Sequence, residues 1–323
     1  MQLQEIPLVF NTFASHCNKF YQMKYFFITI CLFAGFTHCK NRTQSMQTDQ
    51  ERFLTTEIPN QIPLVFKPSL TPAGKIIHRG VFSPDFKEYY YTISDKQYQQ
   101  FDVWMIQKEN GQWSVPQKAF FNSKFNEHGM SFSPDGQTLY FSSTRPTQVE
   151  GVVDTWHIWR CEKVNGKWGT PAFIDIPNCR DKLVSHPSVT QSGNLYFHVS
   201  NVDYSQMKVN MAKLTNGLSG PAKALNLLPD QGIGTCTPYI SPKEDYLIFV
   251  NIKGTSLGLW LAFKNEAGNW VAPHRFNDTI NQQGQGNPSI TPDGKFLFFT
   301  TGDATGNNWA VKWVNILEEL DKQ

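Results

Sequence analysis

FSPDGQTLYFSS, Phe132–Ser143, is the stretch whose reading decides the fold. It reads as the end of one strand, a tight turn opened by Ser133-Pro134-Asp135-Gly136, and a second, aromatic strand. The chain returns to this device four more times, as VFSPDFKEYYYT (Val81–Thr92), VTQSGNLYFHVS (Val189–Ser200), ISPKEDYLIFVN (Ile240–Asn251) and ITPDGKFLFFTT (Ile290–Thr301). The turn openers Ser83, Ser133, Thr190, Ser241 and Thr291 stand 50, 57, 51 and 50 residues apart. A period of that length, carrying several short strands per unit, is the mark of a β-propeller.

Working outward, each unit supplies two further strands. The third begins as FDVWMIQKE at Phe101 and DTWHIWRCEK at Asp154; the fourth follows a tight turn in NGQWSVPQKA (Asn110), NGKWGTPAFI (Asn165), NGLSGPAKAL (Asn216) and AGNWVAPHRF (Ala267). Asn-Gly is the strongest short-range hairpin signal, because both central residues of such a turn need positive φ. Pro116, Pro171, Pro221 and Pro273 suit an outermost strand, whose free edge tolerates a missing donor. Trp113, Trp168 and Trp270 recur at equivalent places. A structural need recurs in every blade, whereas a ligand need does not, so they read as inter-blade packing rather than a sugar-stacking surface. By the same reasoning Asp85, Asp135 and Asp293 are turn residues and not catalytic acids.

The last repeat stops short. After ITPDGKFLFFTT comes WAVKWVNILEEL from Trp309, read as a third strand, and no fourth follows. IPLVFKPSL, Ile62–Leu70, is a strand-like piece without a partner of its own, and it predicts closure of the ring by lacing both ends of the chain into one blade. The expected fold is all-β: one propeller of five blades, each of four antiparallel strands. Six blades is the alternative, if 41–70 contributes more. The expected division is 1–39 for an upstream segment and export signal, 40–61 for a polar tether, 62–317 for the propeller and 318–323 for a tail.

From Met23 the chain reads MKYFFITICLFAGFTHCK, one positive charge followed by an apolar run to Phe36. The run is too short to span a membrane and reads as a secretory signal, with Met23 the better initiator than Met1. It ends just before Cys39, so the segment resembles a bacterial lipoprotein signal in which that Cys is lipidated. Phe36, Thr37 and His38 depart from that pattern. The expected location is the periplasm or an outer-membrane-anchored lipoprotein, with a lipid as the only membrane contact. Cys161, Cys179 and Cys236 follow, an odd number with neither redox nor zinc spacing. A net charge of +2 and dispersed basic residues exclude a nucleic-acid binder.

FSPDGQTLYFSSTRP followed by NGKWGTP resembles the WD-like repeats of the TolB-type propellers. The likeness covers roughly Leu64 to Leu317, and its motif is more specific for fold than for function. It implies an exported or periplasmic propeller, from a family that includes protein-binding modules of the cell envelope; no peptidoglycan-binding or protease domain is read after it, so a free-standing propeller is expected. The third copy, with Gln191-Ser192-Gly193, and the fourth, with Pro242-Lys243-Glu244, depart from the turn motif.

In a propeller the innermost strand of each blade lines a central channel. Here those strands are IIHRGVF, NEHGMSF, VSHPSVT, TCTPYIS and GNPSIT, and their unrepeated polar residues are the candidate ligand-binding set: His78, Arg79, Glu127, His128, His186, Thr237 and Asn287. His78 and His128 stand the same distance before their turn openers, and His186 one place off. Three imidazoles around an axis, His78, His128 and His186, suit one divalent metal ion. With Arg79 they also suit an anionic sugar, as in metal-dependent lyases of uronate polymers. A glycosidase needs two carboxylates, and Glu127 alone is placed near the axis. No nucleophile elbow, Walker loop or dinucleotide fingerprint is present. The sequence therefore predicts a monomeric envelope module that binds a protein or glycan without cofactor or catalysis of its own, with a metal-dependent polysaccharide lyase as the alternative.

Overall fold

Each turn opener of the repeat closes its hairpin with its own side chain. The Ser133 hydroxyl donates to Asp135 Oδ1 at 2.6 Å and accepts the N–H of Thr138 at 2.9 Å, while the N–H of Gly136 closes the turn on Ser133 O. The same pattern recurs around Ser83 with Asp85 and around Thr291 with Asp293. The two copies that lose the motif keep the chemistry. Ser192 takes the Asp position beside Thr190, and Asp245 accepts from Ser241 where Glu244 stands in the tight position. These are locally satisfied turns, which is why the device tolerates so much sequence change.

The computed structural model describes residues 53–55, 57–228, 234–282, 286–302 and 308–322. The chain divides into Met1–Ile58 and Pro59–Gln323, and the second unit carries all the described strands. The segment expected to be an export signal, Cys39 and most of the expected tether lie outside the described residues. Among the described residues no helix is long and apolar enough to cross a membrane.

Five antiparallel sheets form the five blades of the propeller. Their inner strands are Ile76–Phe82, Glu127–Phe132, Leu183–Val189, Gly234–Ile240 and Gly286–Ile290, for blades 1 to 5 in chain order. The second strands follow the turns, and the third strands include Phe101–Glu109 and His157–Val164. In blades 1 to 3 the outer strand is split in two, with Pro116, Pro171 and Pro221 falling in the breaks. Asn110-Gly111, Asn165-Gly166 and Asn216-Gly217 all take the positive φ that their hairpins require.

Blade 5 is completed from the N-terminal side. Leu64–Val65 pairs antiparallel with Ala310–Asn315, Leu64 opposite Trp313, and Phe66 N–H continues the ladder to Val311 O at 2.8 Å. Phe66 then packs among Phe82 and Tyr89 of blade 1 and Phe298 and Trp313 of blade 5, with ring centroids 4.8 to 6.2 Å away. The last stretch corrects one expectation: the strand from Ala310 ends at Asn315, and Leu317–Leu320 forms a helical turn.

The core lies between blades. Tyr90, Val103 and Met105 of blade 1 pack on Leu139, Phe141 and Trp159 of blade 2, and comparable clusters fill the next three junctions. Trp168 stacks on Phe120 at 5.7 Å and Trp270 meets Tyr196 at 6.2 Å, so these two serve the junctions as expected, while Trp113 meets Phe82 of its own blade at 6.3 Å. Cys161, Cys179 and Cys236 are free and buried.

Candidate functional site at the channel mouth

Every inner strand breaks register with its neighbour at one place. The shifts fall between His78 and Gly80, His128 and Ser131, Ser185 and Ser188, Cys236 and Tyr239, and Gly286 and Ser289. The residue four before the turn opener sits in each bulge: Arg79, Gly129, His186, Thr237 and Asn287. The last four have positive φ, a conformation that costs a non-glycine residue about 1–2 kcal/mol. A β-bulge re-aims side chains, and here it does so at the same level in all five blades.

Just before the bulge the inner strand pairs with the second strand, and these pairs form one layer around the channel. They are His78 with Thr92, His128 with Ser142, Ser185 with His198, Cys236 with Val250 and Gly286 with Thr300. The layer is lopsided. Its imidazoles and serine hydroxyls stand on blades 1, 2 and 3, and there a cavity of about 470 Å³ opens, with Asn287 of blade 5 also on its wall. That is within the ordinary range for a small-molecule site.

His128 and His186 stand with ring centroids 4.5 Å apart, and His198 stacks against His186 at 5.1 Å. Ser185 Oγ ties the group together, lying 3.2 Å from His128 Nε2, 3.1 Å from His186 Nδ1 and 3.0 Å from Ser142 Oγ. One hydroxyl has one proton, so at least one of those two ring nitrogens must donate to it. Burial pushes all four histidines below their ordinary value, His78 and His198 to about 4 and His128 and His186 well below 6.5. Mutual repulsion and the Arg79 guanidinium add to the effect on His128 and His186. The imidazoles are therefore neutral at physiological pH.

Aromatic rings from outside the inner strands complete the walls. Phe101 lies 5.7 Å from His78, from His128 and from Trp156, and Trp156 meets His128 edge-on at 4.0 Å. Tyr98 closes the side next to His78.

Of the seven residues expected at the site, five line the cavity: His78, Arg79, His128, His186 and Asn287. Thr237 is buried, and its backbone N–H reaches His198 Nδ1 at 3.5 Å, but it is not part of the wall. Glu127 is a correction. It is fully buried, paired with Arg145 at 2.8 Å and bonded to Ser123 and Ser143. Successive residues on a strand face opposite ways, so turning His128 to the cavity turns Glu127 from it. His78 is also held apart from the other imidazoles by Phe101, and its Nε2 is occupied with Ser94 Oγ at 2.7 Å. Among the described residues no group of three His, Cys, Asp or Glu is arranged to hold a metal ion.

His198, Phe101 and Trp156 were absent from the expected set. His198 had a readable signal, since it stands where the other copies carry Thr92, Ser142, Val250 and Thr300. The two aromatics had none, because they enter from third-strand segments whose distance from the axis is not written in the repeat.

No protein-family model matches the chain, and no curated protein matches it in sequence. Solved structures that resemble it include TolB from Acinetobacter baumannii, at 15% identity and a TM-score of 0.43 over 73% of this chain and 54% of that one. This chain thus spans about half the length of that protein. Others are the GH43 endo-arabinanase from Bacillus licheniformis, at 14% identity and a TM-score of 0.48 over 76% of this chain and 95% of that one, and an exo-1,5-α-L-arabinanase from a bovine ruminal metagenomic library, at 13% and 0.46 over 76% and 94%. The likeness is in the course of the chain and does not extend to a ligand.

Proposed function

We propose that the protein is a binding module of the bacterial cell envelope, and that the cavity at the mouth of blades 1, 2 and 3 receives its ligand. The observation that carries this reading is the make-up of the walls. Flat aromatic faces from Tyr98, Phe101 and Trp156 stand beside neutral imidazoles whose orientation is set by serine hydroxyls. Rings of this kind hold the apolar face of a cyclic ligand, and oriented polar edges select its hydroxyls. The export reading rests on MKYFFITICLFAGFTHCK from Met23, with Cys39 as the residue to be lipidated.

A glycan is the ligand class that suits this mixture best. The test is calorimetric titration of the purified propeller with a panel of envelope oligosaccharides, repeated on Phe101→Ala and Trp156→Ala. Binding weakened at least tenfold by both substitutions supports the reading. Binding indifferent to them, or one metal ion per chain that is lost when His78, His128 and His186 are changed to Ala, overturns it.

A further inference from the structure

Arg79 occupies the bulge of blade 1 and is 2% exposed. Its Nε and Nη1 are buried without a hydrogen-bond partner. Among the described residues no carboxylate shares the cavity wall with it, and the buried acid of the neighbouring inner strand, Glu127, is spent on Arg145. Arg79 also lines a second cavity of about 280 Å³, on the side of the turn openers, with Ser131, Ser188, Tyr239 and Ser289. The first cavity is lined at and before the bulge level and the second beyond it, so Arg79 stands at the partition between the two ends of the channel.

An unpaired buried guanidinium is costly, by several kcal/mol, and it cannot escape by losing its proton. Desolvation lowers Arg79 from 12.5 only to about 10, so the charge persists at neutral pH while the surrounding imidazoles are neutral. The cluster thus carries a positive charge whose neutralising partner is not supplied by the described residues around it.

We propose that Arg79 is the anion anchor of the cavity, and that the ligand class is a ring-bearing carboxylate. The carboxylate end meets the guanidinium of Arg79 while the ring lies against Phe101 and Trp156. This rests on the reading of the cavity as a binding site and adds the charge of the ligand to it. A guanidinium presents two parallel donors that match the two oxygens of a carboxylate. The histidines then contribute hydrogen bonds to the rest of the ligand and not ligands to a metal.

The test uses benzoate and its neutral isostere benzamide as probes, followed by calorimetry and by thermal shift at constant ionic strength. Benzoate is expected to bind at least tenfold more tightly than benzamide, and to raise the melting temperature where benzamide does not. Arg79→Met keeps the volume of the side chain and removes the charge. It is expected to abolish the preference for benzoate over benzamide. If Arg79→Met does not fold, the comparison of the two probes on the native protein decides alone. Equal binding of the probes, or an undiminished benzoate preference in Arg79→Met, overturns the anion assignment and leaves the cavity a binding site. Failure of both probes and of the whole glycan panel overturns both readings.

Discussion

The rings of His128 and His186, carried by neighbouring blades, stand 4.5 Å apart at an interplanar angle of 72°. Two protonated imidazoles at that separation would repel strongly in a desolvated site. The arrangement is stable only while both are neutral, and this makes the site a source of acid sensitivity.

The sign of that sensitivity follows from the folded-state values. His78 and His198 lie at about 4 against 6.5 for the unfolded chain. Between those values the unfolded chain binds more protons, so stability is complete above pH 6.5 and declines as the pH falls toward 4. Each of the two histidines contributes a loss of about 2 kcal/mol between pH 6.5 and 5, at ~1.4 kcal/mol per unit. Urea denaturation at pH 7.5 and 5.0 measures it, and His198→Asn should reduce the difference. Equal midpoints at the two pH values for the native protein would contradict the burial account.

Glu127 gives a stability prediction instead of a binding one. Its carboxylate is fully buried, and Arg145 also donates to Phe121 O at 2.6 Å and lies over the Phe141 and Trp159 rings. Arg145→Ala leaves the acid buried and unpaired, a loss of about 3–5 kcal/mol. Chemical denaturation checks the size, and ligand affinity of the folded fraction should be unchanged.

Phe66 locks the ring. Phe66→Ala removes a buried ring shared by blades 1 and 5 and should cost about 3–5 kcal/mol. Val65 beside it is 46% exposed, so Val65→Ala should be near neutral. A similar loss for both variants would mean that pairing of the strand, not the buried ring, dominates closure.

Gly80 accepts the close approach of Tyr89. A Cβ built there falls 1.8 Å from the Tyr89 hydroxyl, with the ring carbons close behind. Gly80→Ala should therefore cost roughly 1–3 kcal/mol by overpacking. Gly286, in the blade 5 inner strand, has open space around its Cβ position. Gly286→Ala is the control, and matched losses would remove steric crowding as the cause.

The repeat by itself determined the architecture. Ser/Thr-Pro turns, Asn-Gly hairpins and aromatic second strands are satisfied within a dozen residues of one another, so each blade is legible locally. The unpaired Ile62–Leu70 and the short final repeat even disclosed the closure of the ring, because an open edge needs a partner. Five of the seven unrepeated inner-strand residues line the cavity, and His198, on its wall as well, is likewise unrepeated among the second strands. The tertiary structure alone decided the rest. Which face of a strand reaches the cavity depends on bulge placement, and a shift of one residue exchanges the faces, so Glu127 went to a blade junction while His128 and Arg79 went to the channel. Phe101 and Trp156 join them only because ring closure brings neighbouring blades together, a long-range consequence that no local pattern encodes.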